Sequence, residues 1–150
     1  MKAEEHYAGF EQGPIRPPSE SGSLRIRVTR NCPWNRCTFC GLYKGERFSQ
    51  RPVDHVLRDI DTVRRFVERL QARQALPSLD TGADWSEQMA LHAARNWMRA
   101  GARSVFLQDS NSLIIKPDHL VTILAYLQET FPSIERITSY GRSQTIARMR

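Results

Sequence analysis

The chain holds three cysteines, and there is no fourth anywhere in its 150 residues. A clustered, odd-numbered set argues against a disulfide framework and for a reducing compartment, so the cytoplasm is the expected location. Three also fall short of a closed tetrahedral zinc site, which takes four protein ligands. Histidine does not make up the number, because His6, His55, His92 and His119 are scattered. Long hydrophobic runs are missing as well. No apolar stretch approaches the roughly 20 residues that cross a bilayer, so no membrane partner is expected. The first residues, Met1-Lys-Ala-Glu-Glu-His6, lack the apolar core of a secretory leader. No internal repeat or low-complexity tract is visible. An apolar content of 40% with 25% charged residues suits an ordinary globular chain of about one domain.

What is present centres on nine residues, Cys32-Pro-Trp-Asn-Arg-Cys37-Thr-Phe-Cys40, spaced C-x4-C-x2-C. They follow directly on Leu24-Arg-Ile-Arg-Val-Thr29, whose alternation of apolar and polar residues predicts a strand. Three thiolates converging on one loop suit a soft metal centre. An iron–sulfur cluster held by cysteine normally takes four thiolates, so three would leave one iron open to a substrate or cofactor.

The net charge of +6 is unevenly spread. Residues 24–51 carry seven basic groups and one acidic group, a net +6, while residues 1–23 are net negative by two. The basic excess therefore surrounds the cysteine loop. Arg25, Arg27, Arg30, Arg36, Lys44, Arg47 and Arg51 would offset the charge of a thiolate-bound cluster and favour the ligating form of cysteine. A solvated rim and an anionic partner such as RNA are the alternatives. Trp34, Phe39, Tyr43 and Phe48 supply the aromatics that single-strand binders interleave with basic residues. The cysteine chemistry accounts better for Phe39, so nucleic acid is not the favoured partner.

Residues 1–23 read as an extended lead-in, broken by Gly13-Pro14 and Pro17-Pro18, with Phe10 and Ile15 as anchors. A loop with Gly41 and Gly45 leads to a helix opened by Pro52. Its stripe is Val53, Val56, Leu57, Ile60, Val63, Val67 and Leu70. His55 beside that stripe reads as structural. Residues 72–83 read as a connection. Asp84-Trp-Ser-Glu87 has the character of a capping box for a helix running to about Ala100, with Met89, Ala93, Ala94 and Trp97 on one face and Gly101 as terminator. Trp85 and Trp97 read as packing residues. Ser104–Gln108 predicts a buried parallel strand ending in the polar run Asp109-Ser-Asn-Ser112. Lys116-Pro117-Asp118 opens a helix with Leu120, Val121, Ile123, Leu124 and Leu127 on its buried side. Ile134–Ser139 predicts a third strand, followed by Tyr140-Gly-Arg-Ser143 and a helix start near Thr145. Alternating strands and helices mean crossover units and a parallel sheet. Right-handed crossovers put the cysteine loop, Asp109-Ser-Asn-Ser112 and Tyr140-Gly-Arg-Ser143 at one edge.

A strand followed by a cysteine triad, with an aromatic just before the last cysteine, resembles the radical SAM superfamily. The spacing of four rather than three residues between the first two cysteines is a variant of that pattern. The string Thr29-Arg-Asn-Cys-Pro-Trp-Asn-Arg-Cys-Thr-Phe-Cys-Gly-Leu-Tyr-Lys-Gly45 is similar to a branch of uncharacterised iron–sulfur oxidoreductases. So are Phe106-Leu-Gln-Asp-Ser-Asn-Ser-Leu113 and Arg136-Ile-Thr-Ser-Tyr-Gly-Arg-Ser143. The resemblance implies an α/β fold, the N-terminal half of a partial TIM-type (β/α)6 barrel. Residues 24–150 would supply about three of its six strand–helix units, as part of a longer enzyme or as a truncated product. It also implies Cys32, Cys37 and Cys40 as ligands of a 4Fe-4S cluster. S-adenosylmethionine would bind the open iron and be cleaved reductively to a 5′-deoxyadenosyl radical that acts on an unknown substrate. Phe39 would lie against the adenine. Asp109, with Ser110 and Asn111, stands where many members carry the turn that meets the methionyl amine. Tyr140, Arg142 and Ser143 are weaker candidates. The implied partner is an electron donor such as flavodoxin or ferredoxin. An iron–sulfur electron carrier and a basic zinc or nucleic-acid module remain as alternatives.

Overall fold

The computed structural model describes residues 5–76 and 84–149. The expected connection over 72–83 therefore lies largely outside the described residues. Two short strands follow the lead-in, β1 (Leu24–Arg27) and β2 (Thr29–Arg30). After the cysteine loop come β3 (Ser49–Gln50), α1 (Val53–Gln71), α2 (Trp85–Arg99) and β4 (Ser104–Gln108). The described chain closes with α3 (Pro117–Thr130), β5 (Arg136–Ser139) and α4 (Ser143–Ile146).

β1, β4 and β5 form a parallel sheet in that order. Its register sets Leu24 beside Val105 and Ile26 beside Leu107. Those four side chains share one face, and helices α1 to α3 bury it in a single apolar core with Val56, Ile60, Phe66, Trp97, Ile123 and Leu127. Because side chains alternate along a strand, Arg25, Arg27, Phe106 and Gln108 share the opposite face. That face is covered by the lead-in. Gln12 exchanges hydrogen bonds with Arg25. The Gln108 amide accepts from the Gly13 N–H at 2.8 Å and donates to the carbonyls of Gly13 and Ile15. Phe10 reaches the core, as its apolar character suggests.

Several boundaries differ from the sequence reading. The strand expected over 24–29 breaks at Val28, whose N–H turns to the Gln108 carbonyl. Thr29 and Arg30 then pair antiparallel with Gln50 and Ser49, closing the base of the cysteine loop. Pro52 caps α1 rather than occupying its first turn. Phe66, missing from the expected stripe, is fully buried. Val121 was expected inward but is 63% exposed, because α3 meets the core through Leu120, Ile123 and Leu127. Ile134 packs in the core ahead of β5, and α4 begins at Ser143. Half of the expected capping box forms. Asp84 accepts from the Ser86 N–H, but Glu87 pairs with Arg65 on α1. Gly101, at φ 94°, ends α2 in the left-handed conformation that glycine adopts without penalty.

One polar feature interrupts the apolar face of α1. Asp59 is wholly buried, held by Arg51 at 2.6 Å and by the Tyr7 hydroxyl at 2.8 Å. Burial pushes its carboxyl above the usual range, and Arg51 and Tyr7 pull it part of the way back. His55 is buried, with its ring edge-on to Tyr7 at 5.3 Å. Asp59→Ala should destabilise the fold by about 3–5 kcal/mol, because it takes the buried carboxylate from the buried Arg51 guanidinium and leaves it only the partly exposed Glu11. Urea unfolding measures this, and a loss under about 1 kcal/mol would show the pair to be peripheral.

Candidate metal centre at the cysteine loop

The loop from Asn31 to Phe48 leaves β2 and returns to β3, so its two ends are pinned together. Asn31 and Asn35 hold left-handed backbone, at φ 65° and 47°, a conformation asparagine tolerates better than most residues. The Asn31 amide donates to the Arg47 carbonyl at 2.7 Å. The Asn35 amide donates to the Tyr43 carbonyl at 2.5 Å, and Lys44 donates to the Asn35 carbonyl at 2.8 Å. These bonds fold the loop back on itself.

Beneath it lies Asp109, at the carboxyl end of β4 and 0% exposed. One carboxylate oxygen accepts from Arg27 at 2.7 Å and from the Asn31 N–H at 3.2 Å. The other accepts from the buried Tyr43 hydroxyl at 2.5 Å. Burial and this acceptor push the Tyr43 phenol well above its ordinary range, so it stays neutral. The Asp109 N–H donates to Thr29 at 3.1 Å. Gly13 passes so close that a Cβ there would lie 2.6 Å from the Asp109 carboxylate. The carboxylate expected to meet a methionyl amine is thus occupied by protein donors. It positions the cysteine loop, which no sequence pattern announced.

Ser110 and Asn111 also turn to the protein. Ser110 donates to the Asn31 carbonyl at 3.0 Å. Asn111 donates to Thr145 at 3.0 Å and accepts from the Arg142 N–H at 3.1 Å. Arg142 in turn lies over Trp34 in the cysteine loop. The three strand-end segments expected to gather at one edge do so. Tyr140 meets Phe106 edge-on at 5.2 Å on the sheet's second face.

The three thiols are partly exposed. Burial would raise Cys32, yet the Asn35 N–H, the Ser110 hydroxyl, the Trp34 N–H and the Arg142 guanidinium outweigh it and hold the thiol below its ordinary value. The Asn35 N–H lies 3.4 Å from the sulfur. The expected convergence, however, is not formed. Among the described residues no three His, Cys, Asp or Glu side chains stand close enough to share a metal ion. The donor set fits a soft metal centre, but the loop by itself does not gather it. That is expected where metal–thiolate bonds supply the organising energy. Phe39 points away from the protein, 89% exposed.

No family model, curated protein or solved structure matches this chain.

Tyr43→Phe keeps the ring but removes the donor to Asp109. It should destabilise the fold by about 1.5–3 kcal/mol, the worth of a hydrogen bond to a charged group. It should also speed alkylation of Cys32 by loosening the segment through Asn31. Unchanged stability together with an unchanged alkylation rate would show that the Asp109 contacts do not hold the loop.

Proposed function

We propose that this chain is the cluster-binding part of a radical SAM enzyme. Cys32, Cys37 and Cys40 are the residues that would ligate a 4Fe-4S cluster, with S-adenosylmethionine as the second cofactor. When bound, the cluster would supply the electron that cleaves the sulfonium. The observation that carries the reading is the position of the thiols. All three lie on the loop that follows the first parallel strand, at the carboxyl edge where α/β folds place their chemistry.

Other features support it. Arg142 and Ser110 come from the ends of the other two parallel strands and favour the thiolate of Cys32. Phe39, exposed beside Cys40, offers a free ring face to an adenine. Asp109 sets the height of the loop through Arg27, Asn31 and Tyr43. Asn111 fixes the turn that carries Arg142. The partial (β/α)6 barrel belongs to the same proposal. It is supported by a parallel sheet with helices on one face and, on the other, a polar-edged face of Arg25, Arg27, Phe106 and Gln108.

Anaerobic reconstitution tests the reading. The chain should take up about one 4Fe-4S cluster, read as iron, sulfide and an electron paramagnetic resonance signal on reduction. Cys37→Ala should lose it, since three ligands leave no spare. A full cluster in that variant, or zinc in place of iron, would overturn the assignment. S-adenosylmethionine should perturb the reduced signal and yield 5′-deoxyadenosine, whereas an electron carrier would do neither.

Phe39→Ala should retain the iron but bind S-adenosylmethionine more weakly by roughly 1–3 kcal/mol, by analogy with base–aromatic stacking. Equal affinity of the two proteins would remove Phe39 from the cofactor site.

A further inference from the structure

The cysteine-loop face carries a second pattern that cluster ligation does not use. Of the seven basic residues between 24 and 51, Arg27, Arg30 and Arg51 are paired with Glu5, Glu11, Asp59 and Asp109. Arg25 is tied to Gln12. Arg36, Lys44 and Arg47 are exposed and have no acidic partner among the described residues. Arg142 joins them from the turn after β5, likewise without an acidic partner there. Its guanidinium lies 4.6 Å from the centre of the Trp34 ring, and that of Arg36 lies 5.2 Å away. Trp34 is 43% exposed, and Leu42 on the same loop is 48% exposed. Between Asn31 and Phe48 the sequence has one acid, Glu46.

An exposed indole with two guanidiniums over it, and two further cations on the same loop, match the two needs of a single nucleic-acid strand. The phosphates need charge, and the unstacked bases need a flat apolar surface. The guanidiniums from two separate segments hold the Trp34 ring in place, so little side-chain freedom is lost when a base stacks on it. A duplex would use the charges and leave the indole idle, because its bases are already stacked.

We propose that this face binds single-stranded nucleic acid, with phosphates at Arg36, Lys44, Arg47 and Arg142 and a base on Trp34. Phe39 is left to the cofactor. As a statement of substrate class this rests on the radical SAM reading. The binding itself does not need the cluster, so it is measured on the iron-free chain, where its failure and that of cluster assembly are separate results.

The probes are fluorescein-labelled oligouridylate and oligodeoxythymidylate of about ten nucleotides, a length that single-strand sites span. An abasic strand with the same number of phosphates is the control, and anisotropy is followed against salt. Both base-bearing strands should bind more tightly than the abasic one. The slope of log K against log salt should be about −3, at about 0.7 per neutralised phosphate. Trp34→Ala should weaken binding roughly tenfold at unchanged circular dichroism. Arg142→Gln should make the slope shallower by about 0.7. No binding at low salt would overturn the proposal. So would abasic binding as tight as that of the base-bearing strands, the behaviour of a surface for any polyanion or acidic protein. Unchanged affinity in Trp34→Ala would overturn it as well.

Discussion

A carboxylate taken wholly out of water must be matched by donors, and Asp109 is matched by three separate parts of the chain. Arg27 comes from β1, the Asn31 N–H from the entrance of the cysteine loop, and the Tyr43 hydroxyl from its return. Losing any donor would leave buried charge or a buried dipole incompletely paired, which is far more costly than any single bond gained. The position of the loop relative to the sheet is therefore not free. It is set where these three donors can reach one carboxylate. Gly13 is part of the same constraint, since a side chain there would occupy the space of the carboxylate.

The arginines that make the sequence look like a nucleic-acid binder are divided between two jobs. Glu11 sits among Arg27, Arg30 and Arg51, and Asp59 and Asp109 close the chain of charges at either end. Through it the lead-in, β1, β2, β4 and α1 are tied at one corner of the molecule. Arg51 and Asp59 are both nearly inaccessible, so screening by salt acts on them weakly. The cations that remain for a ligand are those of the loop and of the turn after β5. A count of charges along the sequence cannot make this division, because the acids concerned lie tens of residues from their partners.

Periodicity carried the helices and the parallel strands well, because both follow from one-dimensional spacing. The α1 stripe and the run Ser104–Gln108 are of this kind. The gathering of three loops at one sheet edge also followed, since handed crossovers leave little choice. Asp109 stands out in the sequence by its place at a strand end, but its partners are not legible there. Its partners Arg27, Asn31 and Tyr43 are up to 82 residues distant and have no spacing in common with it. Val121 misled for the opposite reason. An apolar residue one step off the stripe looks the same in sequence whether the neighbouring element covers it or not.

The cysteine loop is held at its base and, among the described residues, free of hydrogen bonds at its tip, and this grading suits the metal centre proposed for it. At its base the β2–β3 ladder, the Asn31 and Asn35 amides and Tyr43 fix the backbone. At its tip, Cys37 to Cys40 take no hydrogen bond from the described residues, and a Cβ on Gly41 would meet nothing. Cys32 belongs to the fixed part and Cys37 and Cys40 to the loose part. Thiolates that bind a cation repel one another before it arrives, so holding all three together without it would consume folding energy. A loop with one anchored and two adaptable thiols would avoid that strain. On the proposed reading, metal–thiolate bonds would draw the tip in, while Cys32 and the donors on Asp109 would keep the loop registered on the sheet.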